Sequence, residues 1–249
     1  MKISIITTTY NSAVTVKDTL QSVNAQTYHN IEHIIVDGAS KDNTLDIVRE
    51  YGKRVAKVIS EPDKGIYDAM NKGIREATGD IIGILNSDDV YASESVLANV
   101  MRLFDDENCD GVYGNLNFVR ATNLNEVVRL WKSSPYKPTG FSKGWHPPHP
   151  TFFVRKEIYN NYGLFDISLD VSADFELMLR FIEKHKIDVC FLDEVLVKMR
   201  YGGESTGSIK KIIAGNKNIM KAFKKNDLDV SYLYPFYRLL PKLKQFIPK

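Results

Sequence analysis

The feature that most constrains this chain is the strict alternation of short β-rich runs and amphipathic helical patterns over its first hundred residues. Ile3 to Thr9 reads as a strand. Thr15 to Ala25 reads as a helix, with Val16, Leu20 and Val23 spaced four and three along one face. Glu32 to Asp37 is a second strand, centred on Ile34-Ile35-Val36 and stopped by Asp37-Gly38, and Asp42 to Tyr51 is the helix after it. Val55 to Ser60, Ile66 to Ala77, Asp80 to Leu85 and Ser93 to Phe104 continue the series as strand, helix, strand and helix. Strands separated by helices of this length pair in parallel through right-handed crossovers, which puts helices on both faces of the sheet. The expected fold class is α/β around a mostly parallel central sheet.

In such sheets ligands sit at the carboxyl ends of the strands. Three polar clusters fall there: Thr7-Thr8-Thr9-Tyr10-Asn11, Asp37-Gly38-Ala39-Ser40-Lys41-Asp42 and Asn86-Ser87-Asp88-Asp89. The second half is less regular. It has strand patterns at Gly111 to Val119, Glu126 to Trp131, Thr151 to Val154, Asp188 to Leu192 and Val195 to Tyr201. Short helices fall near Lys156 and over Ala173 to His185. A loop of aromatics, Gly and Pro from Ser133 to Pro150 can shape an acceptor pocket. No internal repeat or low-complexity linker divides residues 1–207, which read as one domain.

Composition excludes several classes. With 43% hydrophobic residues and only 15 Gly and 9 Pro, the chain has the make-up of a packed core, not of a disordered or collagen-like protein. Two cysteines without zinc spacing fit a reducing compartment. No apolar run reaches the length of about 18 residues that a spanning helix needs, and no signal peptide is readable. The net charge of +2 conceals an asymmetry. Residues 208–249 hold ten basic residues against Asp227 and Asp229, a net +8 that leaves −6 for residues 1–207. Such a tail suits an anionic membrane face, or forms a C-terminal helix packed on the body with a solvated basic face.

No Gly-x-Gly-x-x-Gly occurs, and Gly202 and Gly207 have P-loop spacing with Ser208 where the lysine belongs. Asp88 and Asp89, two carboxylates at a strand end, suit Mg2+ or Mn2+, but adjacent aspartates are equally a helix cap and a solvated turn. Asp37 is an Asp-Gly turn residue or an acceptor for an N–H of a flat heterocycle such as uracil. Asp174, in Ser172-Ala173-Asp174-Phe175-Glu176, is an N-terminal aspartate favoured by the helix dipole or a general base. His146 and His149 lie in a proline-rich loop, and His149, just before an apparent core strand, is the better candidate for an acceptor contact.

Taken in order, these strings resemble the family 2 glycosyltransferases, nucleotide-sugar enzymes of GT-A fold, and most of all bacterial members that build cell-surface polysaccharide. The likeness rests on Ile5-Ile6-Thr7-Thr8-Thr9-Tyr10-Asn11, Asp37-Gly38-Ala39-Ser40-Lys41-Asp42-Asn43-Thr44 and Glu61-Pro62-Asp63-Lys64-Gly65-Ile66-Tyr67-Asp68-Ala69-Met70-Asn71-Lys72-Gly73, and runs to about Ser205. It implies a nucleotide-sugar half over 1–117 and an acceptor half over 118–207. It implies that Thr7, Thr9, Tyr10 and Asn11 border the nucleoside, with Ser40 and Asp42 alongside, and that Asp37 accepts from uracil. Lys64, Gly65, Asp68 and Asn71 should meet the donor's sugar or phosphates. Asn86-Ser87-Asp88 stands in the place of the family's Asp-x-Asp motif, with Asp88 the metal ligand and Asp89 assisting. Asp174 matches the catalytic base, and Arg200-Tyr201-Gly202-Gly203-Glu204-Ser205 resembles the segment that closes over the diphosphate. Two residues depart from the pattern: Asn86 replaces the first aspartate of that motif, and Ala173 replaces the glutamate before the base.

The expected activity is therefore inverting, metal-dependent transfer of a sugar from a nucleotide-sugar, a UDP-sugar, to a hydroxyl of a glycan or lipid-linked glycan. The cofactor is Mn2+ or Mg2+. The expected location is cytoplasmic and peripheral to an anionic membrane through 208–249, with no nucleic-acid partner. A sugar-phosphate nucleotidyltransferase or a non-catalytic nucleotide-sugar-binding module are the competing classes.

Overall fold

The structure, a computed structural model, describes residues 1–202 and 209–235. Gly203, Glu204 and Ser205 of the closing segment, and the basic stretch 236–249, lie outside the described residues. The predicted alternation is present as β1 (Ile3–Thr9), α1 (Val16–Asn24), β2 (Ile31–Asp37), α2 (Thr44–Tyr51), β3 (Val55–Ser60), α3 (Ile66–Glu76) and β4 (Ile81–Ile84). β1 pairs in parallel with β2 and β4, and β2 with β3. All seven residues of β1 are buried, as expected of a parallel strand covered on both faces. The register sets Thr9, Asp37 and Ser60 side by side at the carboxyl ends of three strands.

Beyond β4 the chain adds β5 (Val90–Tyr91), α4 (Val96–Glu107), β6 (Gly111–Arg120), β7 (Asn123–Trp131), β8 (Phe153–Arg155), α5 (Lys156–Tyr162), α6 (Ala173–Met178), β9 (Val189–Arg200) and α7 (Ile209–Lys225). Among the described residues the sheet has nine strands in the order β3-β2-β1-β4-β8-β6-β9-β5, with β7 paired to β6. β6 and β9 are parallel, whereas β8 runs antiparallel to both β4 and β6 and so joins the two halves. Two patterns read as separate strands, at Asp188 to Leu192 and Val195 to Tyr201, are the single strand β9. Its irregularity lies where the β6 register shifts around Asn115. The pattern at Thr151 to Val154 begins later, at Phe153, because His149–Thr151 forms a turn of 3-10 helix. The helix expected over Ala173 to His185 is α6 followed by a π-helical stretch, Leu179–Lys184. β5 was not read from sequence: two residues carry no period, and its pairing with β9 defines it.

One core lies under α3 and the acceptor half, uniting Ile6, Val36, Met70 and Ile74 with Phe141, Phe175 and Phe181. A second lies under α4 and contains Ile5, Val23, Leu97, Val100 and Phe104, and a small third, Val16, Leu20, Ile35 and Val48, lies between α1 and α2. Gly73 lets α3 approach the sheet, since a Cβ there would sit 2.4 Å from Cγ2 of Ile6. The boundary drawn at residue 208 does not mark the end of packing. Ile219, Ala222 and Phe223 of α7 are buried in the first core, and Asn226 donates to Glu176 of α6 at 3.0 Å. A helix with a regular apolar stripe facing an aromatic cluster buries it on the body.

β2 carries two buried ionisable groups besides Asp37. Burial lowers His33 to about 3, with Thr7 Oγ1 at 2.9 Å from its Nε2. Burial raises the Glu32 carboxyl, but hydrogen bonds from Ser4, Thr78 and Lys2 outweigh it and bring the pKa down to about 2. Both groups favour folding above their unfolded values. His33 is neutral when folded but takes a proton below about 6.5 when unfolded, so its contribution is lost as pH falls from there towards about 3. That of Glu32 is lost below about 4.5. Of these two groups, His33 contributes nearly all of the ~2 kcal/mol expected to be lost on acidification from about pH 7 to about pH 5. Urea midpoints across that range should therefore fall less for His33→Gln than for the native chain.

Candidate active site

The polar strand ends become one floor because their side chains bind one another's backbones. Asp37 has no exposed surface, and four donors occupy its carboxylate. Oδ1 accepts from Thr9 Oγ1 at 3.0 Å and Ser40 Oγ at 2.5 Å, and Oδ2 from the Ser40 N–H at 3.0 Å and Ser60 Oγ at 2.7 Å. Burial alone would raise this carboxyl, but the donors from Ser40, Ser60 and Thr9 hold it below the ordinary range. Asn11, at a positive φ of 49°, is fixed by bonds with Ser40 and Lys41. Asp42 takes the N–H groups of Ala13 and Thr44. Ser87 donates to Ser12, bringing in the end of β4.

This floor changes the standing of several predicted ligands. Thr7 is wholly buried against His33, and Thr9 is spent on Asp37. Asp37, with both oxygens doubly occupied, is a scaffold for Ser40 and Ser60, not an open acceptor for a base. The accessible surface above it is the ring of Tyr10, 65% exposed, beside Gly38 and Asp63. A Cβ on Gly38 would meet Asp63 Oδ2 at 2.5 Å and Tyr10 Cδ2 at 3.3 Å, so only glycine leaves this slot open. Asp63 and Ser60 were not singled out from sequence. Ser60 is found only through its register with Asp37.

The segment entering α3 divides similarly. Lys64 is exposed, while its N–H donates to Asp68 Oδ2 at 3.0 Å and Gly65 turns the chain at φ 109°. Asn71 does not reach the cleft. It is buried, donates to the carbonyl of Phe165 and accepts from the N–H of Phe165, both at 2.9 Å.

At the end of β4 the two adjacent aspartates separate. Asp88 is half-buried, and burial raises its carboxyl, with the Arg200 charge offsetting part of the rise. Asp89 is fully enclosed, and neither of its oxygens accepts a hydrogen bond among the described residues. Burial, then the neighbouring Asp88 charge, raises it well above the carboxylate range. It neither caps a helix nor reaches the surface, so its carboxylate lies enclosed while that of Asp88 is partly open. Arg200 is turned inward too. Its Nη2 pairs with Asp18 at 2.5 Å, its Nη1 donates to the Asp88 carbonyl and its Nε to the Ala121 carbonyl. It positions the acidic turn and is not presented as a free cation for a diphosphate.

A divalent cation fits Asp88, whose desolvated carboxylate accepts no side-chain donor among the described residues. The side-chain Oδ1 of Asn86 is likewise buried without a partner. No three His, Cys, Asp or Glu side chains gather as a ligand set among the described residues. Such a site resembles those in which one or two carboxylates share Mg2+ with substrate phosphates and water.

Asp174 is the second residue of α6, whose N-cap Ser172 lies in the left-handed region at φ 72°. Its Oδ1 accepts from the hydroxyl of Tyr67 in α3 at 3.2 Å. His149 is nearby and buried; desolvation lowers its pKa and the Asp174 charge acts the other way. An aromatic wall of Trp131, His146, Phe175 and Trp145 continues from there. Tyr67 went unremarked in the sequence as a site residue, although its spacing of four from Asn71 puts both on one face of α3.

A model of the family described as Glycosyl transferase family 2 matches residues 4–163. An uncharacterized glycosyltransferase of Mycobacterium tuberculosis is 31% identical over 180 residues, 72% of this chain and 68% of its own length. A PGL/p-HBAD biosynthesis glycosyltransferase of Mycobacterium bovis is 28% identical over 218 residues, 84% of this chain and 80% of its own. Among solved structures, residues 1–349 of Staphylococcus aureus TarS with UDP-GlcNAc superpose with TM-score 0.71 at 19% identity, covering 98% of this chain and 72% of that one. The mannosyltransferase PcManGT of Pyrobaculum calidifontis, with GDP-Man and Mn2+, superposes with TM-score 0.66 at 21% identity, covering 96% and 68%. The fold is thus that of the GT-A glycosyltransferases.

Asp37→Asn is expected to lower stability by at least about 2 kcal/mol, because hydrogen bonds to a buried carboxylate are lost and an amide donor faces other donors. A urea melt measures this. An unchanged midpoint together with weaker UDP binding would instead make Asp37 a ligand residue.

Proposed function

The chain belongs to glycosyl transferase family 2, and from that premise we propose that it is an inverting, metal-dependent enzyme that moves a sugar from a UDP-sugar to a hydroxyl of a cell-surface glycan or its lipid-linked precursor. The observation that carries this reading is the position of Asp174. A carboxylate at the start of α6 is hydrogen-bonded to Tyr67, within the same segment that displays Lys64. A base on the acceptor side therefore lies beside the segment that the donor would use.

In this mechanism the acceptor hydroxyl gives its proton to Asp174 as its oxygen bonds to the anomeric carbon, and the bond from that carbon to the nucleoside diphosphate breaks on the opposite face. One in-line displacement inverts the configuration. Asp88 would hold Mn2+ or Mg2+, which supplies charge neutralisation at the diphosphate without proton transfer. Tyr10 offers the flat, exposed face on which a nucleobase can stack, and Lys64 offers a cation to the phosphates. His149 and the aromatic wall line the acceptor side, where apolar ring faces suit sugar rings.

UDP and cell-surface glycan are supported by the UDP-GlcNAc complex of TarS and by the biosynthetic name of the Mycobacterium bovis relative. The GDP-Man complex of PcManGT shows that this fold accommodates another base. No helix among the described residues is long and apolar enough to cross a membrane. The membrane contact we propose is made by the outward side of α7, where Lys217, Lys221 and Lys224 are exposed at spacings of four and three. Tyr232, 82% exposed, lies just beyond. Basic residues near an anionic leaflet contribute about 1 kcal/mol each.

Asp174→Asn should lower turnover by ~10²- to 10⁴-fold with donor binding retained, as general-base help is worth that much. Near-native turnover in a nucleotide-sugar assay would remove Asp174 from this role. Asp88→Ala should weaken Mn2+-dependent UDP binding in calorimetry, and unchanged binding would count against the cation site. Vesicles containing phosphatidylserine should sediment the full chain but not Lys217→Glu/Lys221→Glu/Lys224→Glu. Equal pelleting rejects the membrane face.

A further inference from the structure

Tyr67 of the donor segment reaches Asp174 with its hydroxyl, and its ring is held through Phe165. It stacks on Phe165, with centroids 5.5 Å apart and planes 25° apart. The Phe165 backbone is clamped by the side-chain amide of Asn71, which donates to its carbonyl and accepts from its N–H, one helical turn after Tyr67 on the same face of α3. The edge of His149 meets the other flank of Phe165 at 5.5 Å. A stacked ring in a clamped frame has little freedom to redirect its hydroxyl, which donates to Asp174 Oδ1 at 3.2 Å.

We propose that Tyr67 is the positioning residue for Asp174, holding Oδ1 so that Oδ2 faces the cleft as the atom that takes the acceptor's proton. This rests on Asp174 being the base. A lone aspartate at the first turn of a helix rotates about two side-chain torsions, and a single donor on one oxygen fixes the second. The Tyr67 hydroxyl keeps its proton, since burial and then the Asp174 charge raise it far above the ordinary phenol range. It serves as a constant donor and does not act as the base. Its backbone belongs to the segment carrying Lys64 and Asp68, so a shift of α3 on donor binding would reach the base through a single hydrogen bond.

The test is a double-mutant cycle on the full chain: native, Tyr67→Phe, Asp174→Asn and the double variant. The Phe ring keeps the stack on Phe165 and removes only the hydroxyl. The substrate is whichever of a panel of UDP-, GDP- and dTDP-sugars gives the fastest Mn2+-dependent release of nucleoside diphosphate. Tyr67→Phe should reduce kcat about ten- to hundredfold, the rate equivalent of one hydrogen bond to a charged group, with donor KM unchanged. In the Asp174→Asn background the same change should have no further effect. Native kcat in Tyr67→Phe, a raised donor KM with kcat intact, or full additivity in the double variant overturns the positioning role and leaves the base assignment standing. Native turnover in Asp174→Asn, or no turnover of any sugar nucleotide by the native chain, overturns the base assignment and this role with it.

Discussion

A charge withdrawn from water must be met by donors, and the Asp37 carboxylate imposes that requirement on the donor half. Its four hydrogen bonds come from β1, from β3 and from the loop after β2. Any arrangement that left two of them unmade would strand a buried anion at a cost of several kcal/mol. The carboxyl ends of three parallel strands are thereby fixed to one another before any ligand arrives. Ser40 in turn holds Asn11, Ser12 holds Ser87, and the turn bearing Asp88 inherits its place from that chain of contacts.

Arg200 completes the acidic turn from the far side. It reaches from the end of β9 to Asp18 of α1 and to the carbonyls of Asp88 and Ala121, so β9 props the turn that bears Asp88. α3 makes the reverse connection, its Asn71 and Tyr67 bracketing the loop and helix that carry Asp174. α7 closes the assembly from outside. Asn218 donates to the carbonyl of Val171, just before the Ser172 turn, and Asn226 to Glu176. Among its described residues α7 therefore has two sides, an apolar one buried in the core and a lysine-bearing one facing out.

Much of the donor half was legible because its signals are local. Period-two and period-3.6 patterns located β1 through α3 within one or two residues, and the parallel pairing followed from the alternation. Asp174 was correctly placed at a helix start, since Ser-x-Asp followed by an apolar run is a local signal. The acceptor half was harder. β8 and β5 are three and two residues long and are defined by partners distant in sequence, and β9 was broken by a register shift that no periodicity announces. The site residues split along the same line. Tyr10 and Lys64 are exposed and Asp88 and Asp174 partly so. Thr7, Asp37, Asn71, Asp89 and Arg200 have their polar groups turned into the protein.

The amino-acid sequence by itself determined the α/β class, the family and the sheet edge at which the chemistry collects, because spacing along the chain dictates which face and which strand end a residue occupies. It could not determine which of the many polar residues at that edge remain available to a ligand. Availability depends on desolvation and on competing donors, and both are set by contacts between residues far apart in the chain. Register decided that Ser60 would saturate Asp37, the pairing of β9 with β5 just after the Asp88 turn brought Arg200 inward, and the packing of α3 against α6 gave Asp174 its partner in Tyr67.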